Sequence, residues 1–193
     1  SAFIDIGLER TAFLHVADIW SDRQNGESAR PIERILAEGQ SLMVQVLKDP
    51  IGTKGARLST QISLAGRLLV YLPQEKHIGI SQRIEDEAER EALRSRLTAL
   101  VPEDERGGFI VRTMAESASD TELAADIGYL RKLWGEISGS TVGLFPPKVL
   151  HEDLSLGQRT LRDLVTDETS RIRVDSRENF QKLTASAAEY TPT

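Results

Sequence analysis

Apolar and polar residues change their rhythm along this chain, and each change marks a different kind of element. Over the first sixty residues the apolar runs are short and closely spaced, which predicts strands. Phe3-Ile4-Asp5-Ile6 and Ala12-Phe13-Leu14-His15-Val16 flank the turn Gly7-Leu8-Glu9-Arg10 and read as a hairpin. The polar stretch Ser21 to Arg30, with Asn25-Gly26 inside it, reads as a mobile loop. Two further strands are expected at Ser41 to Leu47 and Ala56 to Thr60, joined by the turn Asp49-Pro50-Ile51-Gly52-Thr53-Lys54-Gly55. Short strands in this arrangement suggest a small Greek-key barrel such as an OB-fold.

From about Gln61 the pattern becomes mixed α and β. Leu68 to Leu72 and Ile78 to Ser81 read as strands, and Glu85 to Leu100 as a helix with acidic residues in its first turn. Ile84, Ala88, Ala92, Leu93, Leu97 and Leu100 fall on one face of that helix. Gly108 to Thr113 reads as a buried strand. Ser119 and Glu122 form a capping box ahead of a helix whose apolar stripe is Leu123, Ile127, Leu130, Trp134 and Ile137. These stripes predict core and solvated face, without chemistry of their own. A third section starts near Leu156, with a helix around Leu161, Leu164 and Val165, a strand at Arg171 to Val174, and a helix carrying Phe180, Leu183 and Ala187. The expected fold class is therefore α+β in three sections: 1–60, 61–155 and 156–193. The last is too short for a domain by itself.

Composition narrows the function classes. The chain has 193 residues, 39% hydrophobic and 28% charged, as in ordinary globular proteins. No apolar run approaches the ~20 residues that span a bilayer, so no membrane partner is expected. The start lacks the basic leader of a signal peptide and reads as a strand already under way, so the first domain is expected to have lost its opening strands. With no cysteine there is neither a disulfide framework nor a thiolate metal site, which fits a cytoplasmic setting. The net charge of −6 argues against a protein that coats nucleic acid indiscriminately. Any RNA contact has to come from a local patch or a shaped pocket.

No catalyst stands out. His15, His77 and His151 lie far apart, and neither a nucleophile elbow nor a phosphate-binding P-loop occurs. Asp163 and Asp167 would share a helix face but, next to Arg159 and Arg162, read as surface charge. Binding features are better. Lys54 and Arg57 flank a glycine turn at the rim of the first section. Phe13, on a strand, can stack a base or pack in the core. Arg112-Thr113 ends an apolar strand, where a guanidinium fork beside a hydroxyl can hold a terminal phosphate, or simply cap the strand as a surface cation.

Six stretches occur together in one order: Ala2-Phe3-Ile4-Asp5-Ile6-Gly7, Ala12-Phe13-Leu14-His15, Asp49 to Leu58, Gly79-Ile80-Ser81-Gln82-Arg83-Ile84-Glu85, Gly107-Gly108-Phe109-Ile110-Val111-Arg112-Thr113, and Arg171-Ile172-Arg173-Val174-Asp175-Ser176. In that order and spacing they resemble the ribonuclease G/E family over nearly the whole chain. The resemblance implies an OB-fold that binds RNA, here truncated, then an α/β 5′-sensor domain, then part of a ribonuclease-H-like subdomain. It implies a 5′-monophosphate site at Arg112 and Thr113, with Gly66 as a close-packed glycine and Val70 as a backbone contact. It implies RNA contacts at Phe13, Lys54 and Arg83. Where one branch of the family tends to carry two arginines, this chain has Gln82-Arg83, which favours the other branch. Trp20 is a possible second aromatic at the OB-fold rim.

Whole members of such a family cut single-stranded RNA in rRNA maturation and mRNA decay. The resemblance places their Mg²⁺-binding aspartates in a later subdomain, and a cysteine-rich zinc link joining protomers of a homo-oligomer later still. Both are absent from this sequence, so the chain is expected to recognise RNA with a 5′-monophosphate and not to cleave it. Two other readings need no end-sensing site: a non-enzymatic OB-fold RNA-binding module, and a protein-interaction domain.

Overall fold

The computed structural model describes residues 1–20, 31–166 and 168–190. The expected loop at Ser21 to Arg30 and the position of Asp167 lie outside them. The fold is α+β, with two four-stranded open sheets and four α-helices among the described residues.

The first sheet contains β1 (Ala2–Ile4), β2 (Ala12–Leu14), β3 (Gln45–Lys48) and β4 (Arg57–Ser59), in the order β1-β2-β4-β3. The predicted hairpin forms, with Phe3 opposite Phe13. β2 then pairs in parallel with β4, so that Phe13 lies opposite Arg57. Alternation along β2 sorts the faces: Ala12 and Leu14 are fully buried while Phe13 is half-buried. Ala12, Leu14, Ile19, Ala56 and Leu58 form a small core on the inner side. The closed barrel expected from the strand spacing is not formed: β1 and β3 remain edges of an open sheet. Four strands of three or four residues are too few and too short to curl round and meet.

The second sheet contains β5 (Leu64–Ala65), β6 (Leu69–Leu72), β7 (Ile78–Ile80) and β8 (Gly108–Val111), in the order β5-β6-β8-β7. Its helices are α1 (Glu87–Leu100), which packs along β7, and α2 (Asp120–Gly139), which packs along β6 and against α1. α1 starts two residues later than expected because the Asp86 carboxylate caps it, accepting from the Glu89 amide at 2.7 Å. Its buried seam is Leu93 and Leu97, while Ala88 and Ala92 are exposed. A methyl group is too short to reach the sheet from the margin of the stripe. In α2 the capping box forms as expected, and Leu123, Ile127, Leu130 and Ile137 are buried with Trp134 partly so. Together with Phe109, Leu69 and Val111 they make the main core, where each large side chain contributes about 1.5–3 kcal/mol of burial.

The third section forms α3 (Leu156–Leu164) and α4 (Arg177–Tyr190), which pack on each other. Leu161 is buried, but Leu164 and Phe180 are largely exposed, because no other described element covers those faces. The strand expected at Arg171 to Val174 does not form. Ile172 is half exposed and no neighbouring strand offers a ladder.

Candidate RNA-binding site

Strand register decides which of the candidate residues meet. β8 is antiparallel to β6, with Leu69 opposite Val111, and parallel to β7, with Ile80 opposite Val111. The end of β8, the end of β7 and the β5–β6 turn therefore lie at one end of the second sheet. Arg112 and Thr113 leave the sheet there, Gly66 sits in the turn beside them, and Ser81-Gln82-Arg83 runs off the neighbouring strand. The Ser81 amide donates to the Val111 carbonyl at 2.9 Å and the Arg112 amide to the Leu68 carbonyl at 2.9 Å. Val70 lies one residue further in, between β5 and β8.

Asp126 on α2 builds the turn. Its carboxylate accepts from the backbone amides of Arg67 at 3.1 Å, Leu68 at 2.9 Å and Leu69 at 2.8 Å. Position 66 has to be glycine, because a Cβ there would lie 2.5 Å from an Asp126 oxygen. Burial pushes the Asp126 pKa up, against the pull of those three amides and of the Arg112 charge. With its amides turned towards Asp126, the turn presents carbonyls to Arg112. Arg112 Nη1 donates to the carbonyls of Gly66, at 2.5 Å, and Arg67, at 3.0 Å.

Asp163, on α3, also reaches this guanidinium. Arg112 Nη1 and Nη2 donate to its two oxygens at 3.2 and 3.4 Å. Arg162 donates to the same oxygens from Nε and Nη2 at 2.9 and 3.0 Å. Burial alone would raise the Asp163 pKa, but the two guanidiniums hold it below the ordinary carboxylate value. Asp163 is thus no surface charge, as its neighbours in sequence suggested; it is 24% exposed and joins two sections of the chain. Its partner Arg112 is 51 positions away, so local charge pattern carried no sign of the contact. Thr113 starts the 3₁₀ turn Thr113–Ala115, and its hydroxyl has no partner among the described residues. Arg83 is exposed and makes no ion pair among them.

The first sheet presents a different surface. Register places Phe3, Phe13, Arg57 and Lys48 in one row across all four strands, opposite the small core. Phe3 is 79% exposed. Arg57 is held by a bidentate ion pair to Asp18 at 2.8 and 3.0 Å. Lys54, exposed, closes the tight turn Ile51–Lys54, where Gly52 takes a φ of +57° that disfavours other residues. The Phe13 amide donates to the Ala56 carbonyl at 2.9 Å, so the Lys54 turn ends beside Phe13. Trp20 is half-buried, and its amide donates to the Thr60 hydroxyl at 2.7 Å. The aromatic beside Phe13 is Phe3, which sequence reasoning passed over although the hairpin turn already implied that pairing.

Among the described residues no group of three or more His, Asp and Glu side chains could hold a metal ion. No helix among the described residues is long and apolar enough to cross a membrane.

Comparison with known sequences adds an independent line. The Ribonuclease E/G family profile matches residues 63–193. Over 199 residues the chain is 45% identical to ribonuclease G of Escherichia coli (strain K12), covering 100% of this chain and 40% of that protein. It is 43% identical over 202 residues to ribonuclease G of Haemophilus influenzae, again covering 100% of this chain and 40% of the relative. Against ribonuclease E of a Nostoc species the identity is 36% over 184 residues, 95% of this chain and 26% of the relative. The chain spans about 40% of the length of the ribonuclease G relatives it matches.

Proposed function

The chain belongs to the ribonuclease E/G family, and from that premise we propose that it is the RNA-recognition part of a single-strand-specific endoribonuclease that senses a 5′-monophosphate. The observation that carries the reading is the convergence of Gly66, Arg112 and Thr113 at one end of the second sheet. A 5′-monophosphate carries roughly −1.5 to −2 charges and three strong acceptor oxygens. Arg112 offers a planar fork of donors and Thr113 a free hydroxyl, and a 5′-hydroxyl can satisfy neither in the same way. Asp126 supports the site by fixing the turn whose carbonyls orient the guanidinium.

In this proposal the first sheet belongs to an OB-fold. Phe13 and Phe3 stack bases, while Lys54 and Arg57 follow the backbone without regard to the 5′ end. Arg83 meets the strand as it leaves the phosphate site. The third section, with α3 and α4, is the returning part of the ribonuclease-H-like subdomain. The parent enzyme cuts with Mg²⁺ held outside this chain and assembles through a zinc link there, in the cytoplasm, acting in rRNA maturation and mRNA decay. The chain alone binds and does not cut.

The test is fluorescence anisotropy with a 3′-labelled single-stranded RNA bearing a 5′-monophosphate or a 5′-hydroxyl, at one fixed salt concentration. The monophosphate RNA should bind more tightly, and Arg112→Ala should remove the difference. One charge-assisted hydrogen bond of about 1.5–3 kcal/mol corresponds to about 10- to 150-fold in affinity. Equal binding of the two RNAs by the unsubstituted chain would leave a non-enzymatic RNA-binding module as the better reading. Incubation with RNA and Mg²⁺ should give no cleavage.

A further inference from the structure

We propose that Asp163 is a built-in competitor for the terminal phosphate: its carboxylate occupies Nη1 and Nη2 of Arg112 in the free protein, and a phosphate that takes this end of the fork must displace it. The inference rests on the phosphate-site reading above and adds a residue that sets how tightly that site binds.

Donor arithmetic at Arg112 supports displacement. Nη1 carries two hydrogens but faces three acceptors: the Gly66 carbonyl, the Arg67 carbonyl at 3.0 Å and Asp163 Oδ1 at 3.2 Å. One acceptor is always under-served. The Asp163 contacts, at 3.2 and 3.4 Å, are the longest that Arg112 makes. The carboxylate has a second holder. Arg162 binds both of its oxygens at 2.9 and 3.0 Å, is 5% exposed, and is anchored by donating from Nη1 to the Ala65 carbonyl at 2.8 Å. Asp163 can therefore release Arg112 and keep a bidentate partner, which makes the exchange cheap for the protein.

The incoming group matches what leaves. A carboxylate is a single negative charge with two acceptor oxygens, and a terminal phosphate brings more charge and a third oxygen. The phosphate wins Arg112, but its apparent affinity is lowered by the fraction of molecules in which Asp163 holds the site. A 5′-hydroxyl has no charge with which to displace the carboxylate, so RNA ending in one binds through the first sheet alone.

The closest structural alternative gives the opposite sign. If Asp163 only positioned Arg112, neutralising it would loosen the guanidinium and weaken phosphate binding. The experiment compares Asp163→Asn with the unsubstituted chain by anisotropy, using 5′-monophosphate and 5′-hydroxyl RNAs of one sequence at fixed salt. Monophosphate RNA should bind about 1.5- to 5-fold more tightly to Asp163→Asn, a range set by a partly exposed ion pair. Hydroxyl RNA should be unaffected, and the gain should vanish in Asp163→Asn/Arg112→Ala.

Unchanged or weaker monophosphate binding overturns the competitor role. It leaves the phosphate site standing if the unsubstituted chain still shows an Arg112-dependent preference. If no preference appears in either protein, both inferences fail. Should Asp163→Asn not fold, hydrogen exchange on the unsubstituted chain decides. Saturating monophosphate RNA, compared with hydroxyl RNA, should raise exchange in α3 as Asp163 lets go of Arg112. Equal or greater protection of α3 contradicts the proposal.

Discussion

The two sheets offer cations to an RNA strand in opposite ways. On the first sheet, Lys48 and Lys54 stand exposed beside an aromatic pair, and only Arg57 is tied, to Asp18. At the end of the second sheet, Arg112 is three-quarters covered, and its Nη1 and Nη2 already donate to two carbonyls and a carboxylate. The first surface can accept any strand that approaches. In the proposed reading, the second favours a group able to take the Nη1 and Nη2 donors away from their existing partners. Under the proposed function, an open platform would supply affinity that tolerates sequence, and a pocket with partners already in place would supply discrimination. The difference arises from topology: one face of a short open sheet, against the junction of a turn, two strand ends and a helix from a distant section.

Several substitutions would break or sharpen this contrast. The largest effect should come from Asp126→Asn. The amide can accept with one oxygen only, so at least one of the turn's three bound N–H groups loses its acceptor. We expect a loss of about 1–3 kcal/mol of stability in chemical denaturation, because an unpaired buried donor costs that much. RNA binding on the first sheet should survive it. Phe13→Ala should have an effect of the same order, on binding instead of stability, weakening both monophosphate and hydroxyl RNA by about 1–3 kcal/mol, or roughly 5- to 150-fold, in anisotropy titrations. Lys54→Ala should have a smaller effect, equal for both RNAs. A salt series should show the slope of log K against log salt reduced by about 0.7, the value for one phosphate contact on a single strand.

The smallest effect concerns acid stability. The Asp163 pKa is held below its ordinary 3.8 by the two arginines, so its ion pairs stabilise the fold above that value and are lost as pH falls through the folded one. Asp126 works in the opposite sense. Burial raises its pKa, so its ionisation costs stability as pH rises above 3.8. Melting temperatures measured from pH 7 to pH 2.5 should fall more steeply at the acid end for the unsubstituted chain than for Asp163→Asn.

What the sequence made legible followed local periodicity. The hairpin from Phe3 to Val16, the stripe of α2 and its capping box all depend on residues within a few positions of one another, and they form as the pattern predicts. Arg112-Thr113 could be singled out because a cation and a hydroxyl end an apolar strand. Its setting could not. The contacts of Arg112 to Gly66 and Asp163 span 46 and 51 positions, and no periodicity encodes them. The same limit explains Asp163: beside Arg162 its sequence neighbours predict surface charge, while α3 lies against the β5–β6 turn. The two-residue strand β5 escaped notice because Leu64-Ala65 is too short to carry an alternation. The strand expected at Arg171 to Val174 failed for the converse reason: its local pattern fits, but no described neighbour pairs with it.

The division of labour between the sheets is tested most directly by one ratio, the affinity for 5′-monophosphate RNA over that for 5′-hydroxyl RNA. It should be measured at one salt concentration in the unsubstituted chain, Phe13→Ala and Arg112→Ala. The account predicts that Phe13→Ala weakens both RNAs and leaves the ratio where it was, while Arg112→Ala brings it to one. A ratio that collapses in Phe13→Ala, or persists in Arg112→Ala, would contradict it.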